Sequence, residues 1–258
     1  MQNFIEFKNN KVYFSSEGEG SAVLLLHGFL ESSFMWKELS RELLETHRVI
    51  CIDLLGHGKT GCIGYVHAME EMAEAVNEVL KSLRIRRVTI IGHSMGGYVG
   101  LAFAEKYLDK VKGICLMNST SQADSEERKE LRLRACKMAQ TNYEALVKMS
   151  ITNLFAETSR TKFAKEIEAI KKEALKTPVQ GYIAATKGMR ERKNREKVLR
   201  KIDKRLIISG EKDPILLKEL VTTEGIRTET PVVFLPLGHM SYIESNKVLT
   251  IKVKEFLG

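Results

Sequence analysis

VTIIGHSMGGYVG, residues 88–100, joins a short run of β-branched residues to a serine between glycines and then to a helical run. Gly92, Ser94 and Gly96 form the pattern Gly-x-Ser-x-Gly, in which the serine occupies a sharp turn between a strand and a helix. The glycines lack a β-carbon and let this turn close tightly. The turn points the Ser94 hydroxyl out of the sheet. It also places the Met95 amide at a helix N-terminus, where the helix dipole stabilises negative charge.

Short β-type runs alternate with amphipathic helical segments on both sides of this turn. Residues 68–83 form one such helix, since their apolar side chains recur at helical spacing. This alternation is typical of a mostly parallel sheet with helices on both faces. The fold class is therefore α/β, with an eight-stranded sheet whose strands are predicted at residues 4–7, 12–15, 22–26, 48–53, 88–91, 111–117, 205–209 and 232–235.

Residues 119–198 interrupt the alternation. Helical patterns follow one another there without a convincing strand between them. We therefore predict a core domain made of residues 1–118 and 199–258, with residues 119–198 inserted as a helical cap. The insertion also carries most of the net charge of +8, because it holds 18 Lys and Arg against 11 Asp and Glu.

The composition excludes several classes of protein. Of the 258 residues, 43% are hydrophobic, 29% are charged and only 4 are proline, which is neither a disordered nor a fibrous composition. Apolar runs such as residues 22–26 are far shorter than the roughly 18 residues that span a bilayer. The four cysteines show neither metal-ligand nor redox spacing. Because a secretory signal pattern is also absent, we expect no membrane span and a cytoplasmic location.

Two further residues are placed by the ends of strands. Asp213 and His239 each follow a predicted strand, so both belong at the sheet edge where Ser94 lies. A serine hydroxyl needs a base to become a good nucleophile, and the base needs an acid that fixes its tautomer. The order serine, aspartate, histidine accompanies this type of serine turn. The acid of such a triad can also follow the strand predicted at residues 111–117. Asn118 occupies that position, and its amide cannot carry the negative charge that the acid needs.

Local patterns beside Asp213 and His239 predict helix starts. Pro214 indicates a helix that opens directly after Asp213. Ser241 and Glu244 have the spacing of a capping box, which predicts a helix soon after His239.

The Met95 amide needs a second donor to complete an oxyanion hole. In this type of site the second donor comes from the loop after an early strand. That loop contains His27, Gly28 and Phe29, and we assign the role to the backbone amide of Phe29. Its side chain is expected to wall an acyl pocket.

Five other histidines compete with His239 for a role. His27 and His57 belong to glycine-rich turns and are predicted to be structural, and His47 opens a strand. His93 neighbours the serine, but adjacent side chains diverge. His67 precedes a helix near the sheet edge and could line the site.

Taken together, these motifs resemble an α/β-hydrolase of the capped esterase type. They span both ends of the chain, and the family's helical cap corresponds to the insertion. The resemblance implies a serine hydrolase that cleaves a carboxylic ester or thioester through an acyl-serine intermediate, without a metal or organic cofactor. Its catalytic triad would be Ser94, Asp213 and His239. The matching stretches are residues 27–29, 53–60 and 92–97, with Asp213 and His239.

Other activities occur on the same framework. Meta-cleavage C–C hydrolases, cofactor-free perhydrolases, carrier-linked methyl-ester esterases and the menaquinone-pathway synthase all resemble it, and the fold does not decide among them. Some relatives are small-molecule receptors that keep a triad, so a non-catalytic binding protein is a further alternative. Serine at position 94 argues against epoxide hydrolases and haloalkane dehalogenases, which use aspartate there. The acyl group, the leaving group and the oligomeric state stay open.

The positive charge of the insertion has two interpretations. Runs such as residues 190–195 (RERKNR) are solvated helix faces, or they form a basic rim that attracts an anionic substrate or an acidic acyl-carrier protein. The first interpretation is favoured. Nucleic-acid binding is not supported, because no basic strand interleaved with aromatic residues accompanies the charge. We expect a small-molecule ester as substrate.

Overall fold

The computed structural model describes residues 2–258, so Met1 of the predicted core lies outside the described residues. All eight predicted strands are present, and their ends differ from the prediction by no more than two residues. The strands are β1 (Gln2–Phe7), β2 (Asn10–Glu17), β3 (Ser21–Leu26), β4 (His47–Ile52), β5 (Val88–His93), β6 (Val111–Met117), β7 (Arg205–Gly210) and β8 (Val232–Leu235). They form one sheet in the order β1-β2-β4-β3-β5-β6-β7-β8.

β2 alone runs against its neighbours in the sheet. It pairs antiparallel with β1 and β4, whereas every other neighbouring pair is parallel. Parallel strands end at the same edge of a sheet, so the loops that follow β3, β5, β6, β7 and β8 gather there. The prediction of a mostly parallel sheet is confirmed, and this edge is where the candidate site lies.

Helices cover both faces of the sheet, as the alternation predicted. Side chains point to opposite faces along a strand. In β3, Leu24 and Leu26 join the core that includes helices Met69–Ser82 and Met95–Lys106, while Val23 and Leu25 join the core that includes helices Lys37–Leu43 and Asn246–Leu257. None of the helices within residues 2–258 has the length and apolar content needed to cross a bilayer. The helices are α1 (Lys37–Leu43), α2 (Met69–Ser82), α3 (Met95–Lys106), α4 (Glu126–Ala139), α5 (Tyr143–Thr152), α6 (Ala164–Ala174), α7 (Val179–Glu191), α8 (Glu196–Arg200), α9 (Lys218–Thr228), α10 (Ser241–Glu244) and α11 (Asn246–Leu257).

The segment between β6 and β7 contains α4 to α8. The first four of these helices lie within residues 119–198, the helical insertion, and α8 crosses the predicted boundary at residue 198. Apolar side chains of the insertion form a cluster of their own, which also includes Leu30 from the loop after β3 and Met240 from the loop after β8. The insertion therefore packs on loops at the carboxyl edge of the sheet.

The two ends of the helical insertion meet at one place. The Arg195 N–H donates to the Ser121 carbonyl oxygen at 2.7 Å. Arg195 is 2% exposed and its guanidinium pairs with Glu70, while Arg192 pairs with Asp124 at 2.6 Å. Buried charges are stable only when they are paired in this way. The hydrogen bond and the Arg192–Asp124 ion pair thus hold the start and the end of the insertion next to each other.

One predicted helix start is wrong, and at a second the helix is present but its N-cap differs from the prediction. α9 begins at Lys218 rather than at Pro214, because the Asp213 carboxylate accepts backbone N–H groups and forms a turn there first. α10 has Met240 as its N-cap instead of a position opened by Ser241, whose hydroxyl donates to a side chain in the loop after β6. In both places a contact between distant parts of the chain displaces the local pattern.

Candidate active site

The turn after β5 holds Ser94 in a backbone conformation that side chains rarely adopt. Its angles are φ 47° and ψ −114°, a combination that strains a residue with a β-carbon. Close packing explains the flanking glycines. A β-carbon on Gly92 would lie 2.5 Å from the Gly97 nitrogen, and one on Gly96 would lie 2.7 Å from the His27 carbonyl oxygen. The predicted strand–turn–helix is present, with the serine at its apex.

Contacts with the neighbouring strand fix the backbone of Ser94. Its N–H donates to the Met117 carbonyl oxygen at 3.0 Å, and its carbonyl oxygen accepts from the Ser119 hydroxyl at 2.7 Å. Met95 is the first residue of α3. An amide at this position has no carbonyl of its own helix to donate to, so it can serve a negatively charged oxygen.

Asp213 and His239 are in direct contact. His239 Nδ1 donates to Asp213 Oδ2 at 2.8 Å, and the two side chains are 2% and 0% exposed. The Asn118 side-chain amide donates to the same oxygen at 2.9 Å, and the other carboxylate oxygen accepts two backbone N–H groups. Burial by itself would raise the pKa of Asp213, but His239 and these hydrogen bonds hold that pKa below its ordinary value. An ionised partner at Nδ1 leaves the lone pair on Nε2 of the imidazole.

The serine turn and the histidine loop touch through His93, the residue before Ser94. His93 Nε2 donates to the His239 carbonyl oxygen at 3.1 Å, and the two imidazole rings lie 5.2 Å apart. Asn118 adds a second link, since it follows the strand that binds the Ser94 N–H and donates to both Asp213 and the Gly238 carbonyl oxygen. The structure thus brings Asp213 and His239 together and places both beside the serine turn. A hydrogen bond between the Ser94 hydroxyl and His239 Nε2 stays a prediction.

A second buried histidine–carboxylate pair lies beside this one, and sequence patterns did not indicate it. His93 Nδ1 donates to Glu31 Oε2 at 2.7 Å, and the side chains are 1% and 3% exposed. Burial by itself would lower the pKa of His93 and raise that of Glu31, but each group reverses the effect on its partner. The pKa of His93 is therefore raised and that of Glu31 lowered. Because an acceptor faces each ring nitrogen of His93, the geometry also favours the imidazolium and hence an ion pair.

Phe29 lies in a tight turn after β3. The Gly28 N–H donates to the Glu31 carboxylate at 2.7 Å, and the Glu31 N–H donates to the Gly28 carbonyl oxygen at 3.3 Å. These two bonds bracket Phe29 and set the direction of its amide. Its ring lies edge-on to His57 at 5.7 Å and 4.9 Å from the ring of Tyr182 in α7. The side chain therefore contacts the helical insertion, and the oxyanion role of the amide stays a prediction.

The other histidines of the glycine-rich turns serve the fold, as predicted. His27 Nε2 accepts the Leu54 N–H at 2.9 Å, and His57 Nδ1 donates to the Leu55 carbonyl oxygen at 3.0 Å. Burial lowers the pKa of His27, and it lowers the pKa of His57 to about 3, so both rings are neutral. His67, the alternative candidate for the site, is fully buried and donates its backbone N–H to a carbonyl oxygen of α7 at 3.0 Å.

Two cavities open next to the loop after β3. One of about 710 Å³ is bounded by the turn Ser33–Trp36, by α1 and by the chain at the end of α6. Another of about 430 Å³ lies between the same turn, α6 and α10. Neither cavity has Ser94, Asp213 or His239 in its wall. As whole residues, Asp213 and His239 are 4% and 2% exposed, so the acid and the base of the candidate triad are covered in this conformation.

The fold and this arrangement of residues define a class of protein. A family model described as the alpha/beta hydrolase fold matches residues 21–246, a range that contains every candidate site residue. The chain belongs to the α/β-hydrolase family. The expected eight-stranded fold and the resemblance to hydrolases are both confirmed.

Individual relatives narrow the class. A thermophilic esterase from Thermogutta terrifontis has a TM-score of 0.92 and 30% sequence identity, over 100% of this chain and 98% of that one. The enol-lactonase from Burkholderia xenovorans LB400 shares the fold, with a TM-score of 0.91 and 21% identity over 99% of each chain. Pimeloyl-[acyl-carrier protein] methyl ester esterase of Aliivibrio fischeri is 34% identical over 65 residues, which span only 25% of either protein. These similarities support an enzyme with hydrolase activity of the esterase type.

Proposed function

We propose that the chain is a serine esterase, which hydrolyses a carboxylic ester or thioester through an acyl intermediate on Ser94. The observation that carries this proposal is the buried Asp213–His239 hydrogen bond of 2.8 Å, which lies beside the strained turn of Ser94. A carboxylate that binds Nδ1 leaves Nε2 of the imidazole as the basic atom. Similarity to an esterase over the whole chain agrees with this chemistry.

The reaction follows from the roles of these groups. His239 Nε2 takes the hydroxyl proton as Ser94 Oγ attacks the carbonyl carbon, and the amides of Phe29 and Met95 donate to the oxyanion. His239 then gives the proton to the leaving alcohol or thiol, which completes the acyl-serine. A water molecule, deprotonated by His239, attacks the acyl carbon in the second half. Asp213 stays ionised throughout and stabilises the imidazolium.

In this proposal the helical insertion, residues 119–198, is a cap on a core of residues 1–118 and 199–258. Its Leu154 carbonyl oxygen accepts the His239 N–H at 3.0 Å, and its Tyr182 ring contacts Phe29. The base is covered in this conformation, whereas Ser94 is partly exposed, so substrate has access to the nucleophile. The apolar cluster under the cap favours acyl groups of short to medium length.

A fluorophosphonate probe tests the serine chemistry. The wild-type chain should be labelled and should hydrolyse p-nitrophenyl esters, with chain lengths from acetate to octanoate reporting the acyl pocket. Ser94→Ala should lose both properties, while Ser82→Ala, in α2, should keep them. A folded wild-type chain that neither reacts with the probe nor turns over any ester would contradict the proposal and favour the non-catalytic binding alternative.

A methyl ester on an acyl-carrier protein is the second candidate substrate. Two observations favour it: the 65-residue similarity to the carrier-linked esterase and the excess of positive charge in the insertion. An acidic carrier protein would be attracted over distances comparable with the Debye length, about 8–10 Å at physiological salt. The kcat/KM for the carrier-linked ester should then fall as NaCl rises, while that for a free methyl ester stays constant. Equal salt dependence of the two substrates would remove this candidate.

Product analysis separates the remaining chemistries. C–C hydrolysis and perhydrolysis use the same triad. A diketone in place of the ester tests C–C hydrolysis, and peroxide supplied as the co-substrate tests perhydrolysis. An esterase should show its highest kcat/KM with the ester in this comparison.

A further inference from the structure

Glu244 is a buried carboxylate whose role the triad does not explain. It ends α10 and is 7% exposed. Its Oε2 atom accepts the N–H of Gly238 at 3.1 Å and that of Met240 at 3.2 Å. These two residues flank His239 in the chain. One oxygen of Glu244 therefore fixes the backbone on both sides of the proposed base.

The other oxygen of Glu244 binds the helical insertion. Oε1 accepts the Ala156 N–H at 3.1 Å and the Ser159 hydroxyl. In the same place the His239 N–H donates to the Leu154 carbonyl oxygen at 3.0 Å. Residues 154–159 are thus attached to the His239 loop both directly and through the carboxylate.

The chemistry of this contact requires a carboxylate. All four groups around the side chain of Glu244 are donors, two on each oxygen. A glutamine offers one acceptor oxygen and one NH₂ group, so at least one backbone N–H group would face another donor in either orientation. A buried donor without an acceptor is costly. The Ser159 hydroxyl can turn to the Ala156 carbonyl oxygen at 2.9 Å. The backbone N–H groups are held by close packing, since a β-carbon on Gly238 would lie 2.5 Å from the Ala156 nitrogen.

We infer that Glu244 is a positioning residue of the proposed esterase, which holds the His239 imidazole in place only while residues 154–159 of the helical insertion are packed against the loop. This inference rests on the proposed function and deepens it, because it makes the base sensitive to the position of the insertion. If residues 154–159 move away, Glu244 loses two of its four donors, the Ala156 N–H and the Ser159 hydroxyl. The His239 N–H then also loses its acceptor, the Leu154 carbonyl oxygen.

Glu244→Gln tests the contact at the carboxylate. Small displacements of a catalytic group cost up to about 100-fold in rate, so we expect kcat to fall about 10- to 100-fold with KM nearly unchanged. Ser159→Ala removes a donor only on the side of the insertion and is the variant to use if Glu244→Gln does not fold. It should lower kcat up to about tenfold, the equivalent of one hydrogen bond. Both variants should also increase the amide hydrogen exchange of His239 and Met240.

Asp124→Asn is the matched control. Its carboxylate is also buried in the insertion, but it pairs with Arg132 and Arg192 and does not contact the His239 loop. This variant should lose stability while keeping kcat per folded molecule and the exchange of His239. Wild-type kcat and wild-type His239 exchange in both Glu244→Gln and Ser159→Ala would overturn the inference. A wild-type chain inactive on every ester would instead contradict the proposed function, and the exchange measurements would still decide the role of Glu244.

Discussion

Asp213→Asn should inactivate the enzyme through the tautomer of its base. The Oδ1 atom of Asp213 accepts the backbone N–H groups of Ile215 and Leu216 at 2.8 and 3.0 Å. An asparagine must therefore keep its oxygen there and turn its NH₂ group towards His239 Nδ1. That group donates, so the imidazole would carry its proton on Nε2, where it can no longer accept the Ser94 proton.

The size of the effect follows from this reversal. A wrong tautomer in a serine triad lowers kcat about 10⁴-fold, which corresponds to about 5.5 kcal/mol of transition-state stabilisation. The new NH₂ group also faces the Asn118 amide, which donates at 2.9 Å in the wild type. Two donors in contact should lower the free energy of unfolding by about 1–3 kcal/mol.

Hydrolysis of a p-nitrophenyl ester, together with urea denaturation, measures both quantities. The matched control is Asp203→Asn, because Asp203 is exposed in the turn before β7. It should leave kcat and stability within error of the wild type. A folded Asp213→Asn chain that keeps more than a tenth of the wild-type kcat would refute the assignment of Asp213 and His239 as acid and base.

Three further predictions concern the serine turn and the buried ion pair. Ser94→Gly should abolish hydrolysis yet raise the free energy of unfolding by about 1 kcal/mol, because glycine relieves backbone strain worth about 1–3 kcal/mol; Ser94→Ala, measured in the same thermal melt, should show no such gain. Gly96→Ala should destabilise the fold by more than about 3 kcal/mol or prevent soluble expression, since its β-carbon would collide with the Leu26 carbonyl group. Because the pKa of His93 is raised in the folded chain, this group stabilises the fold below its unfolded pKa of about 6.5, and that stabilisation is lost as pH rises through the folded pKa. Because the pKa of Glu31 is lowered, this group stabilises the fold above its unfolded pKa of about 4.3. Stability from the pair should therefore be greatest between about pH 4.3 and 6.5, and the decline above this window in urea titrations should disappear in Glu31→Gln.

Much of the fold was predictable because its signals are local. Each buried strand is a short apolar run, and the alternation with amphipathic helices indicates a parallel sheet with covered faces. The helix start at Pro214 was predicted wrongly, and the N-cap predicted at Ser241 differs by one residue, because distant contacts decide both. The turn at Asp213 donates two backbone N–H groups to the Asp213 carboxylate, which His239 and Asn118 also bind.

The candidate site was predictable to the extent that strand ends specify it. Asp213 and His239 meet because β7 and β8 end at the same edge of the sheet. Two other carboxylates at this edge, Glu31 and Glu244, were not found, since Glu31 binds a residue 62 positions away and Glu244 binds one 88 positions away. A partial signal existed for Glu244. The capping-box spacing indicates that Glu244 bonds back to the start of its helix, but the amide it accepts from is that of Met240 rather than Ser241, and the Ser241 hydroxyl takes another partner.

The bond between Arg195 and Ser121 has a practical consequence for engineering. The two ends of the insertion are joined by this hydrogen bond of 2.7 Å. A replacement for residues 122–194 would therefore begin and end at neighbouring points and would not need to change the strands. We expect such a stretch to be transplantable. A donor segment from another α/β-hydrolase whose termini lie equally close could be grafted between these two points without altering strand register. To keep the base in place, it would have to supply the contacts that residues 154–159 make with Glu244 and the His239 loop.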